Sequence, residues 1–378
     1  MISYKGMGLA IAASAVISIA ADRWLQKKTD HDQTKGEAAI ATVPEYRTTE
    51  AVILSEYLFN EKSYGSELAR LILESKVKLL VLVNEAPTPK AVKEWLSANK
   101  IPSGSENDVT LINILHENYW VRDFSPFIGR LSLEKERGLP VFLDFMYKSE
   151  NSIDDIVPNQ LGIYLNTSVI KVPFNMDGGN MIRDDESCIF ADSILPQETM
   201  KGDGLSSQLG SYFGCKKVYL IKDAPHIHVD MWAKFLKNRT LVVNELTEDS
   251  IRLCPGPERT EYALKIKKRL DEIAALFEKD GLNVIRIPMP LPDQRLFPTY
   301  ANSLLLNKNA IVPSYKTNIL TSVPYADASL FPKYEQKVRT AYENAGYKVR
   351  FLNVDPTINA GGAVHCVSAQ IVRDEVGL

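Results

Sequence analysis

A helix followed by a β-branched run recurs five times along this chain, and no other feature restricts its fold as much. Residues 66–76 read as a helix and 79–83 as a strand; 89–98 precede 109–115, 205–213 precede 217–221, 261–279 precede 283–287, and 333–345 precede 348–352. In each case apolar residues at helical spacing give way, after Gly, Asn or a Lys-rich turn, to an apolar stretch of strand length. The units share no sequence identity, so the repeat is one of structure. Extra strands are expected at 141–145 and 187–191. With 378 residues and 45% apolar content the chain can bury a large α/β core. Periodicity alone fits a doubly wound sheet and a ring of units equally well.

Chemistry-bearing residues follow four of these strands: Trp120 and Asp123 after the second, His228 and Asp230 after the third, Tyr300 and Asn302 after the fourth, Cys366 after the fifth. Cys366 ends the run GGAVHC (361–366), and a thiol behind a diglycine turn is a candidate nucleophile. It needs an acid/base partner. The alternation in PHIHVD (225–230) reads as a strand with His226, His228 and Asp230 on one face. In WVRDFSP (120–126) an aromatic and a carboxylate lie three apart on a turn, which suits a planar cation: the carboxylate takes the hydrogen bonds and the ring takes the face. A thiol, an imidazole, two carboxylates and an aromatic wall describe a site for a guanidinium.

The set WVRD, DGGN (177–180), HVD (228–230), FPTYAN (297–302) and GGAVHC, in that order, resembles the bacterial-type peptidylarginine deiminase and agmatine deiminase family of guanidine-modifying pentein enzymes. The resemblance covers residue 43 to the C-terminus. It implies a pentein five-bladed α/β propeller, with a pseudo-fivefold repeat around a central active site. It also implies Cys366 as nucleophile, His228 as general acid/base, and Asp123 and Asp230 as guanidinium clamps with Trp120 as wall. Asp177 and Asn302 are expected near substrate, Asn302 either touching it or holding the Cys366 region. His226 and His365 read as supporting residues, His365 packed behind the nucleophile because neighbours on an extended segment point apart. The implied reaction is hydrolytic deimination through a thiouronium intermediate on Cys366, with no cofactor and no metal. Peptidyl-arginine is the expected substrate and agmatine the alternative; an amidinotransferase and a non-catalytic scaffold are remoter readings. Asp in DGGN favours the peptidylarginine branch, since agmatine enzymes usually carry Glu there. Where that branch has arginines for an α-carboxylate, only Lys148 remains, a point charge in place of a bidentate fork.

Lys and Arg number 44 against 47 Asp and Glu, a net charge of -3 that gives no case for nucleic acid. Residues 1–21 include an apolar run, 7–21, short for a bilayer span and suited to a signal peptide or membrane anchor. Residues 22–42 read as a polar linker and 43–378 as the catalytic domain. A secreted or membrane-tethered protein is expected, with a cytoplasmic one as the alternative. Cys188, Cys215 and Cys254 show no metal-site spacing. Cys188 and Cys215 read as small buried hydrophobes; export would permit one disulfide among the three.

Overall fold

A β-branched, apolar strand such as Thr48–Ser55 buries both its faces. Val52 and Leu54 pack with one apolar cluster, Ala51 and Ile53 with another, and the neighbouring strand Lys78–Val83 repeats the alternation. Two-sided burial is what a parallel pair requires, and these two strands are parallel. The structure, a computed structural model, describes residues 39–60, 64–132, 138–147, 152–196, 204–316 and 325–373. Among these residues the strands form five separate sheets.

Each sheet contains the same unit: two antiparallel strands, then a helix, then a third strand parallel to the second. Met181–Arg183 and Ser187–Ala191 pair antiparallel, helix Leu205–Phe213 follows, and Lys217–Ile221 adds in parallel. Ala233–Lys237, Thr240–Glu245 and Asn283–Pro288 repeat it around helix Pro257–Lys279. Leu304–Leu306, Asn309–Ser314 and Lys348–Asn353 do so around helix Phe331–Asn344. Phe127–Ser132, Leu139–Met146 and Ser168–Asn175 form the core of a fourth sheet, with helix Val157–Leu165 as the link. The fifth is made from both ends of the chain. Ala369–Arg373 lies antiparallel to Thr48–Ser55, which runs through helix Tyr64–Glu74 into Lys78–Val83, with Val109–Asn113 beyond.

All five helix–strand units expected from the sequence are present, but their allotment differs. The first two share one sheet. A sixth unit, Val157–Leu165 with Ser168–Asn175, supplies the remaining sheet; its helix has only nine residues, begins with Pro158 in its first turn and exposes Ile163 and Tyr164, which breaks the amphipathic pattern.

Three expectations are corrected. Residues 39–42 belong to the fold, not to a linker: Ala39–Thr42 pairs with Phe127–Ser132, and Thr42 Oγ1 donates to the Phe213 carbonyl at 2.9 Å while accepting from Arg183 Nη1 at 2.7 Å. PHIHVD is not a strand. It is a connection ending in the short 3-10 turn Val229–Met231, so its residues do not share one face. Cys188 and Cys215 are joined by a disulfide with Cα atoms 5.8 Å apart, as strand Lys217–Ile221 lies directly beside Ser187–Ala191. The apolar run at 7–21 lies outside the described residues, among which no helix is long and apolar enough to cross a membrane.

Candidate active site

From each sheet the last strand, Val109–Asn113 in the sheet made from both chain ends and the third strand of the unit in the others, leads into the antiparallel pair of the next through a connection: residues 114–126, 176–180, 222–232, 289–303 and 354–368. All the motifs singled out above lie on these five connections, and they touch one another in cyclic order. A Cβ on Gly178 would collide with the Arg122 carbonyl. Asp177 Oδ2 lies 2.9 Å from His228 Nε2. Asn302 Nδ2 donates to the Asp230 carbonyl at 3.3 Å and to Cys366 Sγ at 3.2 Å. The Arg122 amide donates to the Cys366 carbonyl at 3.2 Å, which closes the circle.

Cys366 is buried, with Asp230 Oδ2 at 3.8 Å from its sulfur and Met231 Sδ at 3.7 Å. The reactive atoms of Cys366, His228 and Asp230 all lie within 4.8 Å of one another, close enough to act on one small centre. Burial, then the Asp230 charge, pushes the thiol up to about 11, against a hydrogen bond from His228. Burial opposes a proton on His228, yet Asp123 first, then Asp177, outweighs it and raises this imidazole well above its ordinary range. The site thus favours a proton on this ring, which suits it to act as an acid. His226 behaves oppositely. Burial, then the neighbouring His228, pulls it down to about 4, and its Nδ1 accepts the His228 amide at 3.1 Å. It supports the backbone and takes no proton from the site.

Asp123 sits on the one-turn helix Val121–Phe124, its Oδ1 3.9 Å from His228 Nδ1. Burial pushes its carboxyl up to about 7, with His228 resisting. Asp230 is likewise buried, but its hydrogen bond and ion pair with His365 overcome desolvation and hold it below the usual range. Both aspartates keep one buried oxygen, Oδ1, without a hydrogen-bond partner. Such an atom costs about 1–3 kcal/mol unless something donates to it, and two of them beside a thiol form a receptor for a planar cation. Trp120 places its indole against Gly362, where a Cβ would meet the ring and approach Cys366 Cβ to 2.8 Å. The second glycine is thus required by the wall itself, while Gly361 turns the chain at φ +108°.

The structure brings Cys366, His228, Asp123, Asp230, Trp120, Asp177 and Asn302 together on these connections. Asp177 binds His228. Asn302 takes the second of its two expected parts and holds the Cys366 region, its Oδ1 accepting from the His365 and Cys366 amides at 2.9 and 3.3 Å. Lys148 lies outside the described residues. His365 does not point away from Cys366: residues 364–367 form a turn, not an extended segment, and His365 Nδ1 reaches the same Asp230 oxygen at 2.6 Å. Glu45, Arg122 and Lys234, which form a buried network with His365, gave no signal in sequence beyond Arg122's place inside WVRD.

Five sheets, each of one repeated unit, with a thiol, an imidazole and paired carboxylates on the connections between them, define a guanidine-modifying enzyme of pentein fold. The model of the Porphyromonas-type peptidyl-arginine deiminase family matches residues 38–371, and the chain belongs to that family. It is 21% identical over 300 residues to a candidate agmatine deiminase of Mycoplasma mycoides, covering 70% of this chain and 78% of the relative. The solved agmatine deiminase of C. jejuni superposes with a TM-score of 0.68 at 20% identity, over 91% of this chain and 99% of its own. A candidate arginine deiminase from Porphyromonas gingivalis gives 0.68 at 19%, over 88% and 98%.

Proposed function

We propose that the protein hydrolyses the guanidinium of arginine within peptides to a ureido group and ammonia. The observation that carries deimination is the pair of buried oxygens without a hydrogen bond, Asp123 Oδ1 and Asp230 Oδ1, flanking Cys366 and His228. A guanidinium between them supplies donors to both and brings its central carbon to the sulfur. Its charge also offsets the two aspartates that disfavour the thiolate. Substrate binding thereby lowers the thiol's pKa, and the proton leaves to solvent. The thiolate adds to carbon and gives a neutral tetrahedral adduct. His228, already protonated, transfers its proton to the departing nitrogen; ammonia leaves and a thiouronium remains on Cys366. The now neutral imidazole takes a proton from water, whose oxygen attacks the same carbon, and collapse returns the thiol and releases the ureido product.

The matching family model and Asp at position 177 favour peptide-borne arginine; the agmatine deiminases among its relatives keep the free amine as the second reading. The test is kcat/KM for agmatine, free arginine, and arginine inside and at the C-terminus of a peptide. Peptide substrates should lead. Agmatine leading by tenfold, about 1.4 kcal/mol of transition-state preference, would reverse the assignment. Export through the apolar segment at 7–21 is part of the same proposal, supported by the Cys188–Cys215 disulfide, since such bonds persist in oxidising compartments. Fractionation of the source cells with antibody to the folded domain checks it; a wholly cytosolic pool would overturn it.

A further inference from the structure

Glu45 belongs to none of the five connections. It stands between strands Ala39–Thr42 and Thr48–Ser55, in a stretch without a motif. Its carboxylate nevertheless meets side chains from three other parts of the site. Oε1 accepts from Arg122 Nη1 at 2.7 Å, beside Asp123; Oε2 accepts from Lys234 Nζ at 2.5 Å, on the strand that follows Asp230; and Oε2 lies 2.7 Å from Nε2 of His365, the residue before the nucleophile. Its own carbonyl accepts from Gln370 Nε2 at 3.1 Å. Lys234 and His365 are 2% and 1% exposed, so these contacts are shielded from water.

The decisive geometry is at His365. Nδ1 lies 2.6 Å from Asp230 Oδ2 and Nε2 lies 2.7 Å from Glu45 Oε2. A neutral imidazole has one N–H, so a neutral ring here would set a nitrogen lone pair against a carboxylate lone pair at one of these two contacts. Donation from both sides requires the doubly protonated ring. The charged groups around it are Asp230 and Glu45 in direct contact, Lys234 and Arg122 across Glu45, and His228 and the Cys366 thiol on the far side of Asp230.

We propose that Glu45 is a positioning residue for deimination: it holds His365 as an imidazolium against Asp230, which keeps Asp230 ionised with Oδ1 aimed at the guanidinium, and it ties Arg122 and Lys234 to the same point. The role rests on the deiminase reading. It is distinct from a plain packing contact, because it fixes a proton count.

That count can be read without substrate, by nitrogen-15 and proton NMR of the full chain labelled in its histidine rings. His365 is assigned by loss of its signals in His365→Gln or, if that variant does not fold, by elimination with variants of the other four histidines, His31, His116, His226 and His228. Two protonated ring nitrogens are expected at pH 7. In Glu45→Gln one of the two protons should be lost. KM for an arginine peptide should rise at least tenfold at pH 8, with kcat changed less than threefold, and this deficit should narrow toward pH 6. One unprotonated ring nitrogen in the unaltered protein at pH 7 would overturn the proposal, as would a Glu45→Gln deficit confined to kcat and equal at every pH. An enzyme inactive on every guanidinium, with two ring protons still seen, would overturn the functional reading instead.

Discussion

A thiol held up near 11 by burial and by Asp230 is a poor nucleophile until a cation arrives, and this asymmetry is measurable at Cys366. The sign is direct: a raised thiol pKa leaves the neutral form dominant below it, and reactivity appears as the pH climbs. Alkylation of the empty site by neutral iodoacetamide should therefore gain about tenfold per pH unit from 7 to 10. Cys254, the other free cysteine among the described residues, serves as the internal reference by mass spectrometry. A cationic haloamidine should modify Cys366 rapidly already at pH 7; a plateau with the neutral reagent below pH 8 would mean a thiolate at rest and would sink the substrate-assisted step. Asp177 acts through His228, which it meets at 2.9 Å. Asp177→Asn should lower kcat about a hundredfold, within the range of general acid/base effects, with KM within a few-fold. An unchanged kcat in that variant would remove Asp177 from catalysis.

At the level of elements, the glycine pairs show how far a sequence can be read. DGGN could be any hairpin; its meaning lies in what each missing Cβ makes room for. Gly178 lies against the Arg122 backbone, whereas a Cβ at Gly179 would come within 2.9 Å of the His228 ring and 3.2 Å of Asp230 Oδ1. Gly178→Ala thus sets a Cβ against the backbone of another connection, while Gly179→Ala sets one against the side chains of His228 and Asp230. The first should lower Tm by several degrees, from an overpacking cost of about 1–3 kcal/mol; the second should keep Tm within about 2 °C and lower kcat at least tenfold. The reverse pattern, measured by thermal melts and steady-state kinetics, would show that the two contacts were assigned the wrong way round. The helix–strand units were legible because apolar periodicity is local. The PHIHVD segment misled because alternation over six residues resembles a strand, while its backbone is set by a turn at Val229–Met231 and by packing under Gly179. Glu45 was illegible for a different reason: its three partners are at 122, 234 and 365, and nothing local marks a carboxylate destined for a buried network.

The whole molecule is closed by contacts between distant parts of the chain. Ala369–Arg373 pairs with Thr48–Ser55, so the strand that follows Cys366 is anchored to one near the start of the fold, a pairing over more than 300 residues that no sequence pattern reports. The Cys188–Cys215 disulfide is a second such device, shorter in reach. It links strand Ser187–Ala191 to Cys215, two positions before its parallel neighbour Lys217–Ile221, across a helix and 27 positions of sequence. In the unfolded chain this link removes the freedom of a loop of that length, which by chain-entropy arithmetic stabilises the folded state by about 3–4 kcal/mol. The two sulfurs occupy sites of 0% and 7% exposure, where paired alanines leave only a small void. Replacing both cysteines by alanine should then lower Tm by several degrees, and dithiothreitol should lower it in the unaltered protein but not in the variant. A melting point indifferent to reductant would show that the bond contributes nothing to holding this sheet together.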